Sequence, residues 1–178
     1  MSVLNKLTNT PGPIEWYTPS WVLEAARGSM GTIDLDPASS EEANRHVKAT
    51  RFYDKDQDGL SQYWEGNVWL NPPYRRSEIH LWIDRLVNSP NIDQWVCIVN
   101  NSTETKWGQQ LLSESGIVMF PSRRIKFWRP GGELTEHNTQ GQMIVGSPTV
   151  NKSMFIEQFK RHGTFFSTIG AFATTVQE

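Results

Sequence analysis

The segment NVWLNPPYRRSE, residues 67–78, decides how this chain folds. Its apolar run at residues 68–70 is typical of a buried strand. The two prolines that follow have no backbone N–H to donate to a neighbouring strand, so the strand must end before them. The sequence therefore predicts that Asn71 and Tyr74 lie just beyond the carboxyl end of a strand, on a stiff stretch of backbone.

The residues after this segment have the periodicity of an amphipathic helix. Ser77 is in position to cap its first turn. The apolar residues that follow recur at i, i+3, i+4, i+7 and i+8, which is the spacing of one buried stripe. These residues are Ile79, Trp82, Ile83, Leu86 and Val87.

The rest of the chain alternates between short strands and helices. Strands are predicted at residues 32–36, 51–53, 94–99 and 117–120, and helices at residues 20–28 and 104–115. The first helix begins at Thr18 and Pro19, because a threonine hydroxyl can cap a helix and proline suits the first helical position. Strands that alternate with helices form a mostly parallel sheet covered by helices, so the fold class is α/β.

The pattern changes in the last third of the chain. Two strand-like segments, residues 124–128 and 142–146, are joined by a polar connection that contains Gly and Pro. They predict an antiparallel pair at one edge of the sheet. Residues 154–161 predict a final helix.

Length and charge limit the domain organisation and the partners. The 178 residues fit one domain, predicted at residues 14–178, with a flexible arm at residues 1–13 and no separate recognition domain. The net charge of -2 excludes binding to nucleic acid through overall charge, so a polyanion site must be concentrated. A single cysteine and the lack of a signal peptide or membrane span predict a cytoplasmic protein without a membrane partner.

Three polar segments follow predicted strands, at residues 36–38, 71–74 and 100–101. Ligands of open α/β sheets bind outside the carboxyl ends of the strands, so a site is predicted at this edge. The amide oxygen of Asn71 and the backbone carbonyl of Pro72 can together accept both hydrogens of a planar exocyclic amine. Tyr74 can stack on the ring that carries the amine. The four histidines lack the spacing of metal ligands, and no metal site is predicted.

Six segments of the chain resemble, in order, those of a known enzyme family. They are EWYTPSWVLEAA (15–26), IDLDPAS (33–39), DGLSQYW (58–64), NVWLNPPY (67–74), STETKW (102–107) and SRRIKFW (122–128). Over roughly residues 14 to 147 the chain resembles the phage-type Dam family of DNA N6-adenine methyltransferases. Asn-Pro-Pro-Tyr after an apolar strand is similar to the catalytic motif of methyltransferases that act on amino groups.

The resemblance implies a Rossmann-like methyltransferase fold of reduced size, S-adenosylmethionine as cofactor and adenine in DNA as substrate. If the gene is carried by a phage, the protein works in the cytoplasm of the host. The family's catalytic motif corresponds to Asn71, Pro72, Pro73 and Tyr74. The family's cofactor-binding positions correspond to Trp16, Tyr17, Thr18, Pro19, Asp36, Pro37 and Asp58.

The chain departs from the wider methyltransferase pattern at Asp36. Most methyltransferases follow the acid of the first strand with Gly-x-Gly, whereas here Pro-Ala-Ser-Ser follows. Asp36 is therefore either the first-strand acid or the acid that binds the cofactor ribose. The short distance along the chain from Asp36 to Asn71 leaves little room for intervening strands and helices.

Basic residues near these segments are candidates for contact with nucleic acid. Arg75 and Arg76 directly follow the catalytic motif, and Lys106 is a further candidate on the same side of the predicted site. Arg123, Arg124 and Lys126 form the densest basic cluster, whose alternative interpretation is an ordinary solvated edge strand. Chemistry on a base in a duplex requires the base to leave the stack. Loops at residues 39–66 and 129–141, or a second subunit in a homodimer, are expected to assist.

Two alternatives to DNA adenine methylation stay open. The same motif occurs in enzymes that methylate RNA guanine N2 or protein glutamine amides. A non-catalytic nucleic-acid-binding protein on a degenerate methyltransferase scaffold is the third interpretation, which the missing Gly-x-Gly leaves open.

Overall fold

The computed structural model describes residues 16–74, 77–128 and 140–168. Within these residues seven strands form one sheet: β1 (Leu35–Asp36), β2 (Arg51–Phe52), β3 (Gly66–Leu70), β4 (Ile92–Asn100), β5 (Ile117–Pro121), β6 (Gln142–Gly146) and β7 (Gly163–Ser167). The helices are α1 (Ser20–Met30), α2 (Glu41–Val47), α3 (Ile79–Asn88), α4 (Lys106–Ser113) and α5 (Lys152–Phe159). None of the helices described is long and apolar enough to cross a membrane.

The sheet is mostly parallel, as predicted. Its strand order is β2-β1-β3-β4-β6-β5-β7, and the first four strands of this order pair in parallel. Strand β6 is antiparallel to both β4 and β5, so β4 and β5 run in the same direction. Strand β7 adds a second antiparallel strand beside β5. The predicted α/β class is confirmed, with the antiparallel strands at one side of the sheet.

Helices cover both faces of the sheet, and alternate residues of each strand supply the two cores. Along β4, Val96 and Ile98 join the core beneath α1, α2 and α5, whereas Cys97 and Val99 join the core beneath α3 and α4. The sequence of a strand that is buried on both faces is a nearly continuous apolar run, which is the pattern of β4. Cys97 is buried, as its apolar surroundings indicated.

Helix α3 confirms the amphipathic stripe that follows the double proline. Four of the five predicted positions are buried, and Val87 packs at the margin of the same core. The predicted caps of α1 and α3 are wrong. Pro19 and Glu78 occupy the two N-cap positions without side-chain cap bonds, so neither Thr18 nor Ser77 caps a helix. The Thr18 hydroxyl is engaged elsewhere, by Asn71.

Residues 39–66 are not the plain loop that the sequence indicated. They contain α2, whose Ser40 side chain accepts a hydrogen bond from the backbone N–H of Ala43 at 3.1 Å. Acidic residues in its first turn and basic residues in its last turn complement the helix dipole. The predicted strand near Arg51 is confirmed as β2. Apolar periodicity could not reveal α2, because Val47 is its only fully buried residue.

The predicted strand at residues 124–128 is also wrong. This segment is extended, with Ile125 and Phe127 buried and Lys126 exposed between them, which is the alternation that imitated a strand. Among the described residues, its bridge joins Trp128 to Tyr17, and β6 pairs with β4 and β5 instead. The predicted N-terminal arm and residues 129–139 lie outside the described residues.

Candidate active site

The carboxyl ends of three parallel strands bring the predicted polar segments to one edge of the sheet. In the register, Leu35 of β1 is opposite Val68 of β3, and Leu70 is opposite Cys97 of β4. Asp36, Asn71 and Asn100 therefore all lie at this edge. The topology confirms the expectation that these segments converge.

Asp36 and Asn71 also face the same side of the sheet. Leu35 and Leu70, their neighbours in the chain, belong to the core beneath α3 and α4. Because successive side chains of an extended chain point to opposite faces, Asp36 and Asn71 point towards α1 and α2. Both line a cleft there.

This cleft encloses about 310 Å³ of space, part of which is open to solvent. The residues that line it are Trp16, Tyr17, Thr18, Leu23, Asp36, Ala38, Ala43, His46, Val47, Trp69 and Asn71. No Lys or Arg is among the described residues that line the cleft.

The nitrogen end of the Asn71 amide is anchored. Its nitrogen donates to the Thr18 hydroxyl at 3.2 Å. Its oxygen Oδ1 is buried and has no hydrogen-bond partner within the described part of the chain. A buried acceptor without a partner is costly, and a bound water, an ion or a ligand can remove that cost. The Asn71 oxygen is therefore an acceptor that a donor entering the cleft can use.

The Asp36 carboxyl is only 3% exposed. Burial raises its pKa to about 6, although the Ser39 side chain and the backbone N–H of Ala38, which donates at 3.2 Å, act in the opposite direction. Burial penalises the charged form of a carboxyl, and a cation placed beside it would offset that penalty. The cleft thus contains an acid suited to a positively charged or hydroxylated ligand.

Tyr74 presents its ring to solvent and its hydroxyl to the sheet. The residue is 41% exposed, while its hydroxyl donates to the backbone carbonyl of Ile98 at 3.2 Å. Burial of the hydroxyl raises the Tyr74 pKa well above its usual range, so the phenol stays neutral. The ring is therefore held in a fixed position beside the double proline, with free surface for stacking.

The segment at residues 16–19 borders the cleft. Tyr17 and Trp128 exchange backbone hydrogen bonds of 2.8 and 3.1 Å, and the Tyr17 hydroxyl donates to Glu42 at 3.2 Å. Trp16 is 40% exposed at the mouth of the cleft. Pro19 does not line the cleft but an adjacent groove.

Asp58 and Pro37 lie beside the cleft without lining it. Asp58 is exposed, with a left-handed φ of 51°. The next residue, Gly59, packs so closely that a Cβ there would collide with the Pro37 carbonyl oxygen. The indole of Trp64 fixes this loop by donating to the Gly59 carbonyl at 2.7 Å. Asp58 is therefore held near the end of β1, where Asp36 also lies.

Helix α2 supplies three cleft residues that the sequence did not indicate, Ala43, His46 and Val47. The His46 ring contacts Trp128, with ring centroids 4.8 Å apart. The Ser40 cap and the two glutamates after it were the only sequence signal for this helix. The wall that α2 forms could not be inferred from that signal.

The basic candidates fall into three groups. Arg75 and Arg76 lie outside the described residues. Lys106 is exposed in the first turn of α4, which follows β4 at the same edge of the sheet. Arg123, Arg124 and Lys126 are exposed and line an open groove of about 1,050 Å³, together with Arg161, which the sequence did not single out.

The groove adjoins the cleft. Thr18 lines the cleft, and the next residue, Pro19, lines the groove. A Cβ built on Gly141 would lie 2.6 Å from Nη1 of Arg124 and 2.8 Å from Nδ2 of Asn101, so Arg124 reaches the carboxyl end of β4. Within the described residues, none of the four groove cations forms an ion pair. The groove is thus the concentrated positive surface that the overall charge does not provide.

Two comparisons relate the chain to known proteins. Residues 8–168 match the family model of DNA N-6-adenine-methyltransferase (Dam). The chain is also 32% identical over 158 residues to the DNA N-6-adenine-methyltransferase of Escherichia phage T1. This similarity covers 78% of the chain and 65% of the phage T1 protein, so the chain spans less than two thirds of that relative's length.

Proposed function

Because the chain belongs to the DNA N-6-adenine-methyltransferase (Dam) family, we propose that it transfers a methyl group from S-adenosylmethionine to the N6 amine of adenine in DNA. The observation that carries the proposal is the buried oxygen of Asn71 at the end of β3, which has no hydrogen-bond partner among the described residues. An exocyclic amine is the donor that this acceptor lacks. The family resemblance read from the sequence is confirmed, and the reaction follows from it as a proposal.

The cleft suits the proposed cofactor chemically. S-adenosylmethionine supplies a methyl group made electrophilic by a positively charged sulfonium centre. The cleft offers the Asp36 carboxyl, with no competing Lys or Arg among its described lining residues, and the aromatic surfaces of Trp16 and Tyr17. We assign these three residues to cofactor binding, with Pro37 and Asp58 at the margin of the same site.

The chain's contribution to transfer is to orient and polarise the amine. The Asn71 oxygen and the Pro72 carbonyl accept its two hydrogens, which moves the nitrogen towards tetrahedral geometry and frees its lone pair. These hydrogen bonds strengthen as positive charge develops on the nitrogen, so they stabilise the transition state more than the ground state. The rigid backbone at Pro72 and Pro73 and the Tyr74 ring fix the plane of the base.

The groove gives DNA a path beside the cleft. Its four cations, Arg123, Arg124, Lys126 and Arg161, suit the phosphates that flank an extruded adenine. Arg75, Arg76 and Lys106 would extend this surface on the side of the catalytic motif. A homodimer, which the sequence analysis allowed, stays a prediction.

We expect a triple variant, Arg123→Ala, Lys126→Ala and Arg161→Ala, to bind DNA less tightly. Its affinity for DNA should also depend less steeply on salt concentration. Each lost phosphate contact lowers the slope of log K against log salt by about 0.7–0.9, so the slope should fall by about 2–3. The affinity for DNA at low salt should fall by about 10- to 100-fold. Fluorescence anisotropy on a labelled oligonucleotide at four salt concentrations measures both quantities.

Lys152→Ala provides the matched control, because Lys152 is an exposed cation at the opposite end of α5 from Arg161. It should leave the salt slope unchanged. A triple variant with the slope of the unmodified protein would contradict the proposed path of the DNA.

A labelling experiment tests the reaction itself. The protein is incubated with tritiated S-adenosylmethionine and, separately, with DNA, RNA or a protein extract, and the modified residue is identified after digestion. We expect the label in N6-methyladenine from DNA. Label in guanine N2 of RNA or in glutamine amides would support the first alternative, and absence of both label and cofactor binding would favour the non-catalytic one.

A further inference from the structure

The hydrogen bond between Asn71 and Thr18 suggests what orients the proposed catalytic amide. The oxygen and the nitrogen of an amide have nearly the same shape, and the terminal torsion of an asparagine is broad and roughly two-fold. Shape alone therefore does not decide whether oxygen or nitrogen faces the cleft. Only the oxygen can accept hydrogens from an amine, because the amide nitrogen is a donor.

Thr18 provides a contact that restrains rotation of this amide. Its hydroxyl accepts from Nδ2 of Asn71 at 3.2 Å, which engages the nitrogen and leaves Oδ1 without a partner among the described residues. Both side chains line the cleft, and Thr18 is only 5% exposed.

The backbone on both sides of Thr18 is fixed. Tyr17 is held by its paired backbone hydrogen bonds to Trp128. Pro19 has a φ of -64° and occupies the N-cap position of α1. Because the side chain does not cap the helix, its hydroxyl stays available to Asn71. A restrained hydroxyl of this kind can position a second side chain within the tolerance that catalysis requires.

We propose that Thr18 is a positioning residue that holds the Asn71 amide with its oxygen directed at the substrate amine. This inference rests on the proposed function and assigns Thr18 a role other than cofactor binding. It predicts an effect on the rate of transfer at saturating cofactor and DNA, and little effect on cofactor affinity. If Thr18 instead contacted the cofactor, its replacement would lower the affinity for cofactor and have little effect on the rate at saturating cofactor and DNA.

We expect Thr18→Val, which removes the hydroxyl but keeps the branched shape, to lower kcat about 10- to 100-fold, as for a misplaced catalytic group. The Kd for S-adenosylmethionine, measured by calorimetry, should change by less than about threefold. Thr18→Ser restores the hydroxyl and should recover kcat to within about threefold of the unmodified protein. Thermal melting establishes that each variant is folded, and Thr18→Ala replaces the valine variant if that one is not.

The chain contains a matched control in Thr32, whose hydroxyl accepts from Nδ2 of Asn67 at 2.8 Å. Asn67 is in β3, four residues before Asn71, so at the rise of a strand the two residues are about 13 Å apart. Thr32→Val removes the same kind of hydrogen bond outside the cleft and should leave kcat unchanged. Equal losses for Thr18→Val and Thr32→Val would overturn the inference, as would a serine variant as slow as the valine variant.

A loss of cofactor affinity that matches the loss of kcat/KM in Thr18→Val would also overturn it, because Thr18 would then be a cofactor contact. The unmodified protein separates the two proposals. If it puts no label into N6-methyladenine, the proposed function fails. If it does so and Thr18→Val is equally fast, the positioning role alone fails.

Discussion

Asn71→Ala is expected to reduce methyl transfer by about 10²- to 10³-fold or more, the range seen when one preorganised hydrogen-bonding group is removed from an active site. The change deletes the acceptor that would bind one hydrogen of the amine, while the residues assigned to the cofactor stay in place. The Kd for S-adenosylmethionine should therefore change by less than about threefold, since no cofactor contact is lost. Single-turnover transfer to DNA and calorimetric titration with the cofactor measure the two quantities independently.

The same change should cost little stability. Oδ1 of Asn71 is buried without a partner among the described residues, so its removal relieves a desolvation penalty even as the bond to Thr18 is lost. The free energy of unfolding should stay within about 1 kcal/mol of the unmodified protein. A folded, cofactor-competent and inactive protein is the expected outcome.

Asn100→Ala is the matched control for this prediction. Asn100 lies at the end of the neighbouring strand β4, and its side-chain oxygen accepts from Gln142 instead of lining the cleft. Its replacement should leave transfer within about threefold of the unmodified rate. If Asn71→Ala lowered cofactor affinity and transfer by the same factor, Asn71 would hold the cleft together and the proposed contact to the amine would be wrong.

The convergence of Asp36 and Asn71 could be predicted from the sequence because it depends on local rules. Two prolines end β3, an alternation of strands and helices makes the sheet parallel, and parallel strands present their carboxyl ends at one edge. None of these steps requires knowledge of long-range packing. The most clearly amphipathic helix, α3, was predictable for the same reason, since the spacing of its apolar residues alone defines its buried face.

The walls of the cleft could not be predicted, because they depend on tertiary contacts. Helix α2 buries little apolar surface, so His46 acquires its place in the cleft only through packing. Residues 124–128 have strand-like alternation, yet β6 pairs with β4 and β5 and leaves that segment outside the sheet. Which strand pairs with which is a non-local choice that alternation does not encode. Arg161 joined the basic groove for the same reason.

Asp36→Asn is expected to change stability and cofactor binding in opposite directions. The folded-state pKa of Asp36 is raised by burial to about 6, whereas an unfolded aspartate has a pKa of about 3.9. Between these values the folded chain binds more protons than the unfolded chain, so stability decreases as pH rises through this window. Above about pH 6 the buried carboxylate costs up to about 3 kcal/mol, at 1.36 kcal/mol for each unit of pKa shift.

An asparagine at this position stays neutral and avoids that cost. Without cofactor, Asp36→Asn should be more stable by about 1–3 kcal/mol at pH 8, which raises Tm by several degrees for a chain of this size. The gain should decrease as pH falls from about 6 to about 4 and disappear below about pH 3.9, where the aspartate is protonated in both the folded and the unfolded protein. Thermal melts across pH measure this difference directly.

The opposite effect is expected with S-adenosylmethionine present. If Asp36 contacts the cofactor, the neutral variant loses a charge-assisted hydrogen bond of about 1.5–3 kcal/mol, and the Kd should rise by about 10- to 100-fold. Saturating cofactor should then raise the Tm of the unmodified protein much more than that of the variant. Asp34→Asn is the control, because Asp34 accepts a backbone hydrogen bond from Asn67 at 2.9 Å outside the cleft. A variant that gained stability at pH 8 and bound the cofactor normally would show that Asp36 is a buried acid without a ligand, and the cofactor site would have to be sought elsewhere.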